Sequence, residues 1–411
     1  MKRSAHRVVI TGLGLATPIG HSLDAVSAAL QQGRHGIVTM PGWADIGQLD
    51  TRLAGEIRDL DLSGWPRKKV RSMGRVARLA TYATDRAIED AGIETDSLQS
   101  ERVGLAFGST HGSSSALELF CRRLFEKTSL EGLSSNSYLQ FMSHTCAANL
   151  AQFYGIRGRV ISTCSACVSA AQAIGSGYEA VASGIQDVML CGGAEEMHFV
   201  HAGVFSILFA TSNGYNDRPG ESPRPFDKAR DGLVIGEGAG AVVLETYERA
   251  TQRGAHIHGE ILGYGTNCDG THVTSPSVAG MAGAMRLSLA DAQLPPEKID
   301  YINAHGTATT IGDVCESRAT FEVLGKEIPF GSTKAFTGHT LGACGAIEVG
   351  FCIAMMRDKF LAPSRNLVEV DPECAPLGYV MGDPRPARPA ITMTNNFAFG
   401  GINTSLILGK V

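Results

Sequence analysis

Residues 161–184, ISTCSACVSAAQAIGSGYEAVASG, mark a point where a strand is expected to give way to a helix. Small residues follow Cys167 at the spacing of a helix that packs tightly against a neighbour. Cys167 would then lie at the helix start, where the helix dipole and free N–H groups favour a thiolate and lower its pKa. The same N–H groups could hold an oxyanion. The stretch therefore predicts a strand–turn–helix unit with a thiol at its turn.

The spacing of Cys164 and Cys167 is open to several interpretations. The pair could be a nucleophile beside a bystander, two inert core thiols, a redox pair or half of a metal site. Zinc needs four ligands, and the sequence contains no second C-x-x-C and no H-x3-H. The local pattern thus disfavours a metal and leaves the other three interpretations open.

Strand-like runs alternate with helical patterns along the rest of the chain. One helical pattern places Val76, Leu79 and Ala83 on a single face and ends at Gly92. The first strand does not open a dinucleotide fingerprint, because Thr17 stands where the third glycine is needed. The alternation predicts an α/β architecture with buried sheets. The strand-like runs are RVVITGLGLATPIG, VGLAFGS, DVMLCGGAEE, GAVVLETYE, HGEILGYG, IDYINAHG and ITMTNNFAFGG.

A charged segment at residues 245–259, ETYERATQRGAHIHG, separates two halves that each open with a strand and a glycine-rich turn. We therefore expect two units, residues 1–253 and 254–411. A duplication would explain this organisation, although the repeat in the sequence is faint.

Composition limits the classes of function. The 411 residues carry a net charge of −5, which argues against a nucleic-acid or membrane-surface binder. No stretch approaches the length of a membrane span, and glycines and a proline interrupt the apolar start, which argues against a signal peptide. The ten cysteines lack framework spacing, so we expect reduced thiols and a cytoplasmic protein.

Two histidines lie in similar glycine-rich contexts after strands. His305 is in NAHGTATTIGDVCE and His339 is in STKAFTGHTLGACGAIE, five residues after Lys334. One cysteine with one histidine would suggest a hydrolase-like pair. A second histidine indicates a further task, such as stabilising an enolate by hydrogen bonds from imidazole.

Several blocks in a fixed order carry a resemblance to a known family. They resemble the β-ketoacyl-[acyl-carrier-protein] synthases, the elongating condensing enzymes of the thiolase superfamily. The resemblance implies a layered α-β-α-β-α sandwich of two similar halves, without metal or cofactor, and a homodimer, with a heterodimer also open. The blocks are VVITGLGLATPIG, SACVSAAQAIG, GGAEE, SPRPFDKARDGLVIGEGAGAVVLE, NAHGTATTIGDVCE, STKAFTGHTLGACGAIE and NNFAFGGINTSLIL.

The resemblance implies a decarboxylative Claisen condensation. Cys167 matches the family nucleophile, which takes the growing acyl group from a carrier-protein thioester. His305 and His339 would promote decarboxylation of the malonyl carrier protein and steady the enolate, which then attacks the acyl-cysteine. Lys334 matches the family lysine and would pair with Glu348.

The same resemblance implies supporting roles for five more residues. The backbone N–H groups of Cys167 and Phe399 would form the oxyanion hole, and the Phe399 side chain would act as a gate between the acyl and malonyl steps. Thr307 and Thr309 would bind the pantetheine arm. For Asp313 and Glu316, structural hydrogen bonding and a direct catalytic role are both open.

Two features concern substrate and partner. His111 falls where the family shapes the floor of the acyl pocket near the dimer interface, and it leaves chain length and substrate polarity open. The basic run PRKKVRSMGRVARL is expected to bind the acidic carrier protein, with Arg67 and Arg71 on one helical face, joined by Arg75 if Gly74 does not break the helix. Lys68 belongs to the same docking surface. A non-catalytic, chain-length-factor-like partner subunit is the alternative function, although such partners lack the nucleophile.

Overall fold

The structure is a computed structural model that describes residues 6–411. Its strands are β1 (Val8–Ala16), β2 (Ile37–Thr39), β3 (Leu53–Gly55), β4 (Val103–Gly108), β5 (Val160–Thr163), β6 (Val188–Glu195), β7 (Ile235–Gly236), β8 (Gly238–Thr246), β9 (Gly259–Cys268), β10 (Tyr301–Asn303), β11 (Pro329–Gly331), β12 (Phe360–Leu361), β13 (Gly378–Tyr379), β14 (Arg385–Pro386), β15 (Ile391–Phe397) and β16 (Ile402–Gly409). Its helices are α1 (Leu23–Gln31), α2 (Arg67–Val70), α3 (Arg75–Ala91), α4 (Ser114–Lys127), α5 (Ser135–Phe141), α6 (Thr145–Tyr154), α7 (Ser169–Ala182), α8 (Phe199–Ile207), α9 (Tyr247–Gln252), α10 (Val278–Ala292), α11 (Thr310–Leu324), α12 (Lys334–Thr337) and α13 (Cys344–Asp358).

Ten of the eleven strands of the main sheet form two halves with the same strand order, and β13 pairs with β11 at the edge of the second half. The first half runs β5-β4-β6-β8-β1 and the second runs β11-β10-β15-β16-β9, so both read 3-2-4-5-1 when numbered within the half. In both, the first two pairings are parallel and the next two antiparallel. The halves join where β1 pairs with β9. This equivalence confirms the expected fold of two similar halves. The boundary at residues 253/254 lies between α9 and β9 and stays a prediction.

Alternating strand residues point into different layers. In β6, Met189 and Cys191 pack in the core that contains α7 and α13, whereas Val188 and Leu190 pack in the core of α3 and α6. Helices α10 and α11 cover the outer face of the second half. The result is the predicted α-β-α-β-α sandwich, with α7 and α13 in the middle layer.

Small residues in α7 allow this helix to lie between the two halves of the main sheet. A Cβ atom on Gly177 would lie 2.1 Å from Sγ of Cys191 in the first half. A Cβ atom on Gly175 would lie 2.3 Å from the ring of Tyr264 in the second half. Both distances are far below a van der Waals contact, so the tight packing predicted for the helix after Cys167 is confirmed.

The strands and the helix predicted from sequence are present. Each of the seven strand-like runs contains a strand of the main sheet, and the pattern around Val76 forms α3, which ends at Gly92 with φ of 62°. None of the helices within residues 6–411 is long and apolar enough to cross a membrane.

Candidate active site

Three loops bring the predicted catalytic side chains together, and each loop contains a non-glycine residue in the left-handed region. Such a residue costs about 1–2 kcal/mol, and strain of this kind concentrates at functional sites. The residues are Ala166 (φ 49°) before Cys167, Ala308 (φ 66°) after His305 and Leu341 (φ 47°) after His339.

Cys167 and His339 form a direct thiol–imidazole pair. Sγ of Cys167 lies 2.9 Å from Nε2 of His339. The ring of His305 stands perpendicular to that of His339, with the ring centroids 5.1 Å apart. All three side chains are buried. One nucleophile and two imidazoles therefore face the same small volume.

The pKa of Cys167 is raised, so the expectation of a lowered value was wrong. Burial raises the pKa of the Cys167 thiol to about 12, with Lys334 opposing and Glu195 adding to the shift. The residue lies in a 3-10 turn, and α7 begins only two residues later. The dipole of α7 does not outweigh desolvation there. The thiol is neutral at rest, and Nε2 of His339, 2.9 Å away, is the nearest group that could accept its proton.

Both histidines are neutral. Burial, reinforced by the charge of Lys334, holds the pKa values of His305 and His339 well below 6.5. A neutral imidazole can accept the thiol proton in one step and donate a hydrogen bond to an oxyanion in another. The pair can therefore serve both tasks near neutral pH without first losing a proton.

Lys334 is the centre of a buried ionic network. Its Nζ atom lies 2.5 Å from Oε1 of Glu348, as the sequence resemblance predicted. Burial alone would lower the pKa of Lys334, but Glu348 and neighbouring groups raise it overall, so the ammonium stays charged. The second oxygen of Glu348 accepts a hydrogen bond of 2.7 Å from Asn396. Asn396 is not among the residues predicted from sequence, and its only signal is its place before the FAFGG turn.

Glu316 and Asp313 hold the loop of His305. Glu316 accepts the backbone N–H groups of His305 and Gly306 at 2.7 and 2.6 Å. Asp313 accepts the N–H groups of Phe226 and Ala308 at 2.6 and 3.1 Å. These contacts favour the structural interpretation of both carboxylates.

A cavity of about 440 Å³ leads from the surface to the Cys–His–His group. Phe399, Thr307 and Thr309 all line it, together with the three catalytic candidates. The hydroxyls of Thr307 and Thr309 lie 3.0 Å apart. The Phe399 ring packs against that of Phe205 at a centroid distance of 5.4 Å. The predicted gate and pantetheine residues thus lie along one path to Cys167.

Four predicted residues lie elsewhere. His111 does not line this cavity; it packs against His201 in the loop before α4. Arg67, Lys68 and Arg71 are exposed at α2 and its C-terminal end. No ion pair to them is present within residues 6–411.

Part of the predicted basic run does not belong to the docking surface. Gly74 breaks the helix, since α2 ends at Val70 and Gly74 has an extended backbone before α3. Arg75 turns inward and pairs with the buried Glu237 at 2.7 Å. The exposed basic surface is therefore limited to the α2 side of Gly74.

All ten cysteines are free thiols, and none forms a disulfide. Cys164 donates to the carbonyl of Thr110 at 2.8 Å, whereas Cys167 pairs with His339. Within residues 6–411, the Cys167, His305 and His339 group is the one set of three such side chains close enough to hold a metal ion. Its resting thiol is neutral, and a metal would occupy the atoms needed by substrate, so the absence of a metal stays our expectation.

A buried cysteine that pairs with one histidine and faces a second, at the junction of two equal α/β halves, is the arrangement expected of a condensing enzyme of thiolase-like fold. The chain belongs to the β-ketoacyl synthase family. The family model for the N-terminal domain of β-ketoacyl synthases matches residues 5–250. The family model for their C-terminal domain matches residues 258–368.

Known proteins that match the chain over almost its full length support this assignment. The chain is 37% identical to 3-oxoacyl-[acyl-carrier-protein] synthase 1 of Haemophilus influenzae, over 98% of this chain and 99% of that protein. The crystal structure of a β-ketoacyl synthase from Burkholderia phymatum STM815 is 49% identical with a TM-score of 0.96, over 99% and 100% of the two chains. The ishigamide ketosynthase/chain length factor is 32% identical with a TM-score of 0.92, again over 99% and 100%.

Proposed function

We propose that the protein elongates acyl chains by decarboxylative Claisen condensation, using an acyl thioester and malonyl thioester of acyl carrier protein. The observation that supports this most directly is the 2.9 Å contact between Cys167 and His339, with His305 beside them. The acyl chain that the enzyme elongates belongs to fatty acid biosynthesis or to a specialised polyene or polyketide pathway.

The first step transfers the acyl group to the enzyme. Sγ of Cys167 attacks the carbonyl carbon of the acyl thioester while His339 accepts the thiol proton. The C–S bond to the carrier's pantetheine breaks, and the leaving thiolate takes up that proton. Backbone N–H groups of Cys167 and Phe399 stabilise the tetrahedral oxyanion, a contribution worth about 3 kcal/mol for each donor.

The second step forms the carbon–carbon bond. The malonyl C–C bond breaks, carbon dioxide leaves, and the electron pair becomes an enolate whose oxygen accepts hydrogen bonds from His305 and His339. The enolate carbon attacks the acyl-Cys167 carbonyl, and the sulfur leaves as a thiolate that takes up a proton from solvent. The product is a 3-oxoacyl carrier protein, two carbons longer. Burial, reinforced by the charge of Lys334, keeps both imidazoles neutral for this step.

The test is an in vitro condensation with acyl carrier proteins of several lengths and degrees of unsaturation. We expect mass spectrometry to show 3-oxoacyl products extended by two carbons. A chain-length-factor-like partner, the alternative function, would form no product by itself. The presence of Cys167 and both histidines in contact argues against that alternative.

A basic surface at α2 supports binding of the acidic carrier. Reversing Arg67 and Arg71 to glutamate is expected to raise KM for the acyl carrier protein about tenfold at low salt, because both side chains are exposed and unpaired within residues 6–411. The effect should fade as salt screens the charges. KM for a short acyl-pantetheine thioester should not change. Lys410→Glu, at an exposed lysine after β16, is the matched control.

Replacing Cys164 by serine separates condensation from thiol redox chemistry. Because Cys164 contacts Thr110 and not the Cys–His pair, the variant should retain at least about half of the condensation rate. A redox pair would instead lose all activity. Titration of thiols before and after mild oxidant completes the measurement, since a working redox pair would lose two thiols in the native protein and none in the variant.

Quaternary structure and location are further parts of the proposal. Strand β5 lies at the edge of the sheet, and Val160 there is exposed, as are Leu117 and Leu119 of α4 and Tyr138 of α5. An exposed edge strand beside apolar side chains favours association with a second subunit. We propose a homodimer in the cytoplasm, which light scattering of the pure chain should show as twice the mass of one chain. A monomeric pure chain would instead favour the heterodimer.

A further inference from the structure

Cys344 is a buried thiol at the start of α13 that contacts the backbone of the nucleophile. Its Sγ atom donates to the carbonyl oxygen of Cys167 at 3.2 Å. Cys344 is 2% exposed, and it comes from the second half of the chain, whereas Cys167 comes from the first. No step of the proposed reaction uses this thiol. The contact fastens the turn of the nucleophile to the half that carries His305 and His339.

The turn before Cys167 needs to be held in place, because its backbone is strained. Ala166 has a φ of 49°, and such a conformation persists only where surrounding contacts hold it. Oγ of Ser169 accepts the N–H of Ser165 at 2.9 Å and donates to the carbonyl of Ala166 at 2.7 Å. Both bonds lie within the first half. Cys344 adds a bond from the second half to the next carbonyl along the turn, so the turn is held from two sides.

Asn396 connects Cys344 with the other side of the proposed oxyanion hole. Nδ2 of Asn396 lies 3.4 Å from Sγ of Cys344 and 2.7 Å from Oε2 of Glu348. Asn396 belongs to β15, which ends two residues before Phe399. Cys344 thus lies between the two backbone segments that would supply the oxyanion donors, those of Cys167 and Phe399.

Close packing of α13 against α7 brings the Cys344 thiol to this position. A Cβ atom on Gly345 would lie 2.8 Å from the backbone nitrogen of Ala171 and 2.8 Å from Oδ1 of Asn396, so a side chain there would clash. Burial raises the pKa of the Cys344 thiol well above its ordinary value, and the charge of Glu348 adds to the shift. The thiol therefore keeps its proton and can donate a hydrogen bond to the carbonyl.

We propose that Cys344 is a positioning residue that aligns the oxyanion hole. The inference rests on the proposed condensing activity and adds a residue to it. Holding the carbonyl of Cys167 restricts rotation of the backbone at that residue, which fixes the direction of its N–H relative to that of Phe399. Oxyanion donors act through a defined geometry, so a small rotation weakens them. A reaction of Cys167 that forms no oxyanion should not depend on Cys344.

The experiment compares two reactions of Cys167 in the native protein and in Cys344→Ala. Acyl transfer from acyl carrier protein passes through a tetrahedral oxyanion, whereas alkylation by iodoacetamide displaces iodide at a saturated carbon and forms none. We expect Cys344→Ala to slow acyl transfer about tenfold, less than the roughly hundredfold loss that removal of a donor itself causes. Alkylation should change less than about twofold. Mass spectrometry of the intact protein follows the acyl group, and peptide mapping follows alkylation of Cys167.

Two further variants test the hydrogen bond itself. Cys344→Ser keeps a donor and should return acyl transfer to within about threefold of the native rate. Cys352→Ala removes a buried thiol about two turns further along α13, and it should keep both rates while losing a similar amount of packing. Thermal unfolding of each variant compares the cost to the fold.

The outcomes separate this inference from the proposed function. Unchanged acyl transfer in Cys344→Ala would overturn the inference while leaving condensation intact. An equal loss of acyl transfer and alkylation would also overturn it, because the thiol and not the oxyanion hole would then be affected. The same holds if Cys344→Ser, folded as stably as the native protein, transfers the acyl group as slowly as Cys344→Ala. Failure of every acyl carrier protein to acylate the native enzyme would overturn the proposed function, and with it the inference.

Discussion

Replacing Cys167 by alanine is expected to lower condensation more than about a thousandfold, because no other thiol in the structure pairs with a catalytic imidazole. Malonyl decarboxylation should persist, since the hydrogen bonds proposed from His305 and His339 to the enolate do not need the sulfur. Release of carbon dioxide from malonyl carrier protein, measured beside 3-oxoacyl product, distinguishes the two steps. A parallel loss of both would contradict the separate roles assigned to the thiol and the imidazoles.

His305→Ala provides the contrasting variant. The His305 ring lies with its centroid 5.1 Å from that of His339, and His339 is the imidazole that contacts Sγ of Cys167. Loss of His305 should therefore abolish enolate stabilisation while leaving the thiol in place. Transfer of the acyl group to Cys167, seen as a mass increase of the intact protein, should continue. Condensation and decarboxylation should both fall more than about a hundredfold. The two variants thus divide the reaction at the acyl-enzyme.

The sequence predicted the fold well where local pattern and tertiary packing agree. Buried strands with glycine-rich ends, and a small-residue helix after Cys167, correspond to β1, β6 and α7 in the structure. The repeat is faint in the sequence and becomes clear in the strand order of the two halves. Two halves can share one topology with different residues, because the topology requires only similar patterns of packing. The prediction that His305 and His339 lie beside Cys167 depended on the family resemblance, since no local pattern relates residues this distant in sequence.

Electrostatics and side-chain direction were less predictable. The helix dipole suggested a lowered pKa for Cys167. Burial instead raises that pKa, and the extent to which a side chain is buried cannot be predicted from local sequence. Arg75 reads as one more exposed base in a basic run, yet it pairs with Glu237 from a segment 162 residues away. Asn396 contacts Glu348 across 48 residues of sequence, and its place before the FAFGG turn does not predict that contact.

The Lys334–Glu348 pair stabilises the fold and tunes the site, and single substitutions in it should affect both. Lys334→Met removes the only cation that touches Glu348 within residues 6–411 and leaves a carboxylate that is 3% exposed. Removing one partner of a buried ion pair costs about 3–5 kcal/mol. We expect a large fall in the midpoint of thermal unfolding, and a smaller fall for Glu348→Gln, which keeps an oxygen to accept from Asn396.

Combining the two substitutions separates folding from catalysis. Lys334→Met with Glu348→Gln removes both charges of this buried pair, so the double variant should recover most of the lost stability, because neutral partners of similar volume often replace a buried pair at little cost. Activity should not recover. The charge of Lys334 helps to keep the pKa values of His305 and His339 low, so without it those pKa values rise. The acidic limb of the pH–rate profile should then move to higher pH, since the imidazoles become protonated earlier as the pH falls. A double variant that regains stability together with the native pH profile would show that Lys334 acts on the fold alone.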